Sequence, residues 1–318
     1  MEKKDLKIIF FGTPEFAVES LDALIKNNFN IVGVVTMPDK LAGRGHKLYQ
    51  SDVKRYAVEH NLNVLQPEKL KSEDFIQNLR ALQADLFIVI AFRMLPREVW
   101  QMPRLGTFNL HASLLPKYRG AAPINRAVMN GDTETGVTTF FLKHEIDTGD
   151  MIMQRKIEIL PEDNVGDVHD KLMHLGAGMV VETVNAIIDG TLTTTPQPEG
   201  EFTPAPKIFK EDCRIDWSKS AMEVHNHVRG LSPYPAAWSV IIEDSGRPLE
   251  SKIFSTKITD SSVGDTQIGS IKTEGKRLLV ACADKWLEIK ELQPAGKKRM
   301  AAEAFLLGYH PSKMQLQV

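Results

Sequence analysis

The chain has 318 residues, 42% apolar and 25% charged, which is a soluble globular composition with length enough for two domains. A net charge of −2 argues against a generic polyanion binder, and no apolar run reaches the roughly 20 residues that span a bilayer. Cys213 and Cys282 lie far apart with no CxxC, so neither a disulfide framework nor a zinc site is expected.

The first residues carry neither the apolar stretch of a signal peptide nor the Arg/Ser-rich character of a transit peptide, so a cytoplasmic location is expected. Lys7-Ile-Ile-Phe-Phe-Gly12 reads as a strand buried on both faces. Thr13, Pro14 and Glu15 then offer an N-cap, a proline at the first helical position and an early acid, predicting a helix to about Asn27. Further strands are predicted over 31–35, 64–65 and 85–91, with helices over 53–60 and 73–82. Continuous apolar strands alternating with helices imply a doubly wound, mostly parallel sheet covered on both sides. Strands over 106–113, 136–142 and 151–159 follow, then a helix over 165–189.

Thr191-Leu-Thr-Thr-Thr-Pro-Gln-Pro-Glu-Gly200 breaks this rhythm and reads as a linker. The expected division is therefore a catalytic domain over 1–190, a linker over 191–206 and a second domain over 207–318. Beyond a helix near 220–230, short strands over 237–242, 252–258, 268–272, 277–281 and 286–292 suggest a small OB-like antiparallel β-barrel. From Lys207 onward there are 17 Lys/Arg against 14 Asp/Glu, and 22 against 27 before it. This mildly basic back half fits a polyanionic partner, or only a solvated surface.

Phe11-Gly-Thr-Pro-Glu-Phe16 stands where a dinucleotide fold would carry GxGxxG, but it has one glycine and a proline, so nucleotide chemistry is disfavoured. Gly106-Thr-Phe-Asn-Leu-His-Ala-Ser113 is more telling. Strand alternation puts Thr107, Asn109, His111 and Ser113 on one side, with Phe108 and Leu110 facing the core. A polar row inside a covered sheet costs free energy unless it is paired or faces a crevice. An Asn amide can donate to a developing oxyanion and a His can donate or shuttle a proton. No GxSxG elbow exists, so direct transfer through a tetrahedral intermediate is favoured over an acyl-enzyme.

Asp147, in His144-Glu-Ile-Asp-Thr-Gly-Asp150, reads either as part of a turn or as a carboxylate partner for His111. The loop Ser113-Leu-Leu-Pro-Lys-Tyr-Arg-Gly120 suits a flat, partly apolar, anionic ligand, or serves as a connector to a helix over 122–129. Pro38-Asp-Lys-Leu-Ala-Gly-Arg-Gly-His-Lys47 is a glycine-flexed basic loop around Arg44 and Lys47, able to clamp a phosphate backbone or lie solvated on the surface.

Asn109-Leu-His-Ala-Ser-Leu-Leu-Pro-Lys-Tyr-Arg-Gly120 together with Ile146-Asp-Thr-Gly-Asp150 resembles the folate-dependent formyltransferases. Ala42-Gly-Arg-Gly45, Lys207-Ile-Phe-Lys-Glu211, Ile215-Asp-Trp217, Arg229-Gly-Leu-Ser-Pro-Tyr-Pro235 and Gly296-Lys-Lys-Arg-Met300 extend the resemblance over essentially the whole chain. It implies transfer of a formyl group from 10-formyltetrahydrofolate to the amino group of methionyl initiator tRNA, with no metal, by a monomer. By the same resemblance Asn109 and His111 stabilise the oxyanion, and Asp147 orients His111 and helps remove the amine proton. Ser113, Leu114, Leu115 and Pro116 hold the folate, Arg44 and Lys47 meet the tRNA, and the barrel docks it. The chain departs from the family pattern in Ala112 for a proline, Phe92-Arg93 for Tyr-Gly, and Tyr234 for a tryptophan. A nucleotide-amino-sugar formyltransferase, a formylfolate hydrolase and a non-catalytic tRNA-binding protein are the competing readings.

Overall fold

The apolar runs of the N-terminal half form strands with both faces buried. The computed structural model describes residues 2–42, 47–198, 200 and 202–316. In chain order the elements are β1 (Lys7–Gly12), α1 (Glu15–Lys26), β2 (Asn30–Val35), β3 (Lys40–Ala42), β4 (Lys47–Tyr49), α2 (Asp52–Glu59) and β5 (Val64–Leu65). Next come α3 (Glu73–Ala81), β6 (Leu86–Ile90), α4 (Arg97–Trp100), β7 (Thr107–His111), β8 (Arg119–Gly120), α5 (Pro123–Met129), β9 (Glu134–Phe141), β10 (Met151–Glu158) and α6 (Val165–Asp189). The sheet order is β10-β9-β7-β6-β1-β2-β5. From β5 to β7 the strands are parallel, and β9 runs antiparallel to β7. The winding reverses between β1 and β6, which opens a crevice beyond the carboxyl ends of the strands. Phe108 and Leu110 of β7 are buried, as alternation requires.

Contacts divide the chain into two units, one of Met1–Gly120, Gly136–Ile157 and His169–Pro204, the other of Ala121–Thr135, Glu158–Val168 and Ala205–Val318. Two short segments ahead of residue 190 thus group with the C-terminal part rather than with the sheet that precedes them.

Several local expectations are corrected. Pro14, in extended conformation, takes the cap position of α1 in place of Thr13, whose buried hydroxyl has no partner among the described residues. The strand at Thr107 ends at His111, so Ser113 lies beyond the alternation that placed it beside Asn109. The basic 38–47 segment is not all loop: Lys40 pairs with Tyr49 and Ala42 with Lys47 in an antiparallel ladder. Within 191–206, Thr195 exchanges hydrogen bonds of 2.8 and 2.9 Å with Met151 and so covers the exposed edge of β10.

After β11 (Pro204–Ala205), the C-terminal part of the second unit carries α7 (Ala221–Leu231), whose first turn is closed by a Ser220–Glu223 capping box. Then follow β12 (Ala237–Glu243), β13 (Pro248–Ser262), β14 (Ile271–Glu274), β15 (Arg277–Ala281), β16 (Lys285–Pro294), β17 (Met300–Ala301), α8 (Ala302–Leu306) and β18 (Pro311–Met314). The order is β14-β15-β16-β13-β12-β18, and a bridge between Ser270 and Lys313 nearly closes it into a barrel. Register shifts near Ile253 to Thr256 let the 15-residue β13 bend around the barrel, a length the short apolar run did not reveal. Trp217 fills the core, with its indole N–H donating to Ser239 Oγ at 2.9 Å.

Helix α7 carries two histidines, His225 buried and His227 half-buried with its Nε2 out of solvent. His225 Nδ1 meets Thr256 Oγ1 at 3.0 Å, and His227 Nε2 has no partner among the described residues. Burial holds both imidazoles below the usual 6.5; Arg229 adds to this at His225, while a backbone bond at Cys213 opposes it at His227. Both therefore bind protons less readily folded than unfolded, so their contribution is complete above pH 6.5 and declines as pH falls below it. Unfolding free energies from urea titrations followed by tryptophan fluorescence should fall between pH 7 and 5, by up to about 1.4 kcal/mol per pH unit for each histidine. The double change His225→Gln and His227→Gln should flatten that profile.

Candidate active site

The end of β7 and two loops assemble the site within the first unit. Asn109 sits one strand period before His111, and among the described residues nothing hydrogen-bonds its half-buried carboxamide. His111 is buried, with Nε2 2.8 Å from the Tyr118 carbonyl. A carbonyl only accepts, so Nε2 carries the proton, and the Tyr118 carbonyl sets that tautomer. Nδ1 faces Asp147 Oδ2 at 3.8 Å, longer than a direct hydrogen bond and an ion pair only when the ring is doubly protonated. Asp147 Oδ2 accepts from the Gly120 N–H at 3.0 Å. Tyr118 and Asp147 both have left-handed backbone, at φ 59° and 54°, a conformation that persists only where the surroundings impose it. The structure thus brings together Asn109, His111 and Asp147.

The loop leaving β7 is fixed by groups the sequence did not mark. Thr138 Oγ1 donates to the Ser113 carbonyl at 2.7 Å and accepts from the Leu115 N–H at 3.2 Å. Gln154 Nε2 donates to the Leu115 carbonyl at 3.1 Å and to Thr138 Oγ1 at 2.9 Å. Ser113 is fully buried and its hydroxyl donates to the Lys117 carbonyl at 2.6 Å. Leu115 is buried too, so of the four residues expected to hold folate only Leu114 and Pro116 keep appreciable accessible surface. Arg93 points its guanidinium at the Pro67 and Glu68 carbonyls, tying the end of β6 to the loop after β5. A pocket of about 240 Å³ lined by Leu65, Gln66, Pro67, Ser72, Asp74, Phe75 and Asn78 lies along that loop. Arg44 lies outside the described residues, and Lys47 opens β4. No group of three or more His, Cys, Asp or Glu able to hold a metal occurs among the described residues.

An amide donor, an imidazole and a carboxylate at a sheet's carboxyl edge make a site suited to direct acyl transfer. The chain belongs to the formyl transferase family: residues 6–184 match its formyl transferase domain and residues 207–310 its C-terminal domain. It is 58% identical to a methionyl-tRNA formyltransferase of Bacteroides fragilis over 98% of this chain and 97% of the relative. With a methionyl-tRNA formyltransferase of Flavobacterium johnsoniae the identity is 50% over 97% of each. Among solved structures, the sugar 3N-formyl transferase WlaRD, in the presence of dTDP and 5-N-formyl-THF, superposes with a TM-score of 0.66 at 21% identity, over 92% of this chain and 99% of that one. HypX from Aquifex aeolicus, in complex with tetrahydrofolic acid, gives 0.64 at 18% identity, over 95% and 47%. At these identities the structures speak for the fold.

Sequence reasoning missed Gly149 as a constraint. A Cβ built there would lie 1.5 Å from the Phe141 carbonyl oxygen, a rigid backbone atom. The glycine of Asp-Thr-Gly-Asp is thus a close-approach position, readable only once β9 is known to pass beside it. Gly149→Ala should force the loop away from β9 at a cost of about 1–3 kcal/mol. A lowered melting temperature with faster amide exchange over residues 143–151 is the expected result.

Proposed function

We propose that the chain transfers the formyl group of 10-formyltetrahydrofolate to the amino group of methionyl initiator tRNA, giving formylmethionyl-tRNA for translation initiation. The observation that carries this reading is the identity of 58% over 98% of the chain to the Bacteroides fragilis methionyl-tRNA formyltransferase. The geometry supplies the chemistry. The amine attacks the formyl carbon, and charge develops on the formyl oxygen. The unengaged Asn109 carboxamide donates to that oxyanion, and His111, with Asp147 3.8 Å from its Nδ1, stabilises it alongside. Asp147 accepts the proton that the attacking amine sheds, and a proton returned to N10 lets tetrahydrofolate leave.

Within the same proposal Leu114 and Pro116 offer apolar surface to the folate, while Ser113 and Leu115 shape the loop from beneath. Arg44 and Lys47 meet the tRNA, and the barrel docks it. The enzyme acts as a monomer in the cytoplasm; among the described residues no helix is long and apolar enough to cross a membrane. A sugar formyltransferase would share the first unit's fold, but the likeness to WlaRD, at 21% identity, does not extend to its acceptor.

Incubation with 10-formyltetrahydrofolate and charged initiator tRNA should yield formylmethionine. His111→Ala and Asp147→Asn should each lower turnover by about 10² to 10⁴ while folate binding survives. Near-normal turnover in either variant would sink the mechanism. Arg44→Ala should weaken transfer through the KM for tRNA and leave that for folate unchanged; an unaltered tRNA dependence counts against the role given to that loop.

A further inference from the structure

A buried glutamine from the 191–206 stretch grips the loop that carries Asp147, and no step of the proposed chemistry uses it. Gln197 is 9% exposed. Its Nε2 donates to the Asp147 carbonyl at 2.7 Å and to the Gly149 carbonyl at 2.9 Å. Its Oε1 accepts from Arg119 Nε at 3.1 Å and from Nη2 at 2.6 Å. Carbonyls only accept and a guanidinium only donates, so an amide in this single orientation satisfies all four contacts. A glutamate of the same size would set a carboxylate oxygen against two carbonyl oxygens.

The grip falls where the backbone most needs holding. Asp147 sits at φ 54°, and its carboxylate is held by the Gly120 N–H, next in sequence to Arg119. One dipeptide therefore fixes Asp147 twice: Gly120 holds the carboxylate, and Arg119, through Gln197, holds the backbone. Arg119 is itself anchored, its guanidinium 5.2 Å from the centre of the Phe202 ring and its N–H donating to the Thr203 carbonyl at 3.1 Å.

We infer that Gln197, oriented by Arg119, is a positioning residue that sets the approach of Asp147 to His111 and so governs turnover without touching substrate. This rests on Asp147 being part of the catalytic centre. In the full-length chain Gln197→Glu should lower kcat by about tenfold to a hundredfold, the penalty of a small misplacement. The KM values for folate and tRNA should stay within about threefold, because no substrate contact is removed. Arg119→Met should act in the same direction more weakly, and it carries the test if the glutamate variant melts far below the parent. Added to Asp147→Asn, Gln197→Glu should cost no more than about a further twofold, since both act through one carboxylate. Unchanged kcat, a rise in KM alone, or losses that multiply in the double variant would overturn the inference. Amide exchange over 143–151, faster in Gln197→Glu and unchanged elsewhere, reads the grip without any assay. If Asp147→Asn keeps its turnover, the catalytic reading fails, and that exchange result still decides whether Gln197 holds the loop.

Discussion

The hydrogen bond between His111 Nε2 and the Tyr118 carbonyl ties the end of a buried strand to the loop that returns over it. An imidazole that is only 7% exposed cannot leave its N–H unpaired without a cost of about 1–3 kcal/mol, so the loop must come back to meet it. Meeting it requires Tyr118 to adopt left-handed backbone, and Gly120, two residues on, then aims its N–H at Asp147. One polar contact at a strand end thereby fixes ring orientation, tautomer and the place where the carboxylate docks. The approach of Asp147 to His111 is inherited from that geometry and does not arise from a direct bond between them.

The same logic keeps the loop rigid. Thr138 and Gln154, on β9 and β10, satisfy the backbone of Ser113 and Leu115, while Leu114 and Pro116 stay half-buried. A binding surface whose backbone is already bonded does not reorganise when a ligand arrives, which is the condition for fixed dipoles to act on developing charge. Arg93 plays a comparable part at the neighbouring strand. Its guanidinium bonds two carbonyls of the loop after β5.

What could be read from the sequence follows the range of the forces involved. Strand alternation is a local rule, so Asn109, His111 and the buried Phe108 and Leu110 were legible from eight residues. The parallel sheet was legible because strands covered on both faces need unbroken apolar runs. Asp147 was not, since its contacts at His111 and Gly120 are set by how β9 and β10 return along the sheet; only family resemblance suggested it. Gln197 was hidden for a further reason: flanked by prolines and threonines, it has the composition of a linker. Its burial follows from an edge pairing, Thr195 with Met151, that no local pattern announces. Ser113 was misplaced because the alternation was carried two residues past the point where β7 stops.

The surroundings of the nucleophilic side chains also bear on how the transfer proceeds. A covalent acyl-enzyme needs a hydroxyl or thiol that is free, activated and accessible. Ser113, two residues beyond His111, is fully buried and its hydroxyl is engaged by the Lys117 carbonyl. Both cysteines are buried in the second unit, where loss of solvation raises the Cys213 thiol and pushes Cys282 up to about 12, against thiolate formation. This agrees with the proposed reaction, in which the attacking group comes from the acceptor. An amine that arrives protonated must lose a proton before it attacks and another as the tetrahedral adduct forms. A carboxylate held beside an imidazole, but not bonded directly to it, keeps lone pairs free for that task. In the proposed mechanism the 3.8 Å separation between Asp147 and His111 leaves the carboxylate able to receive a proton from a third group.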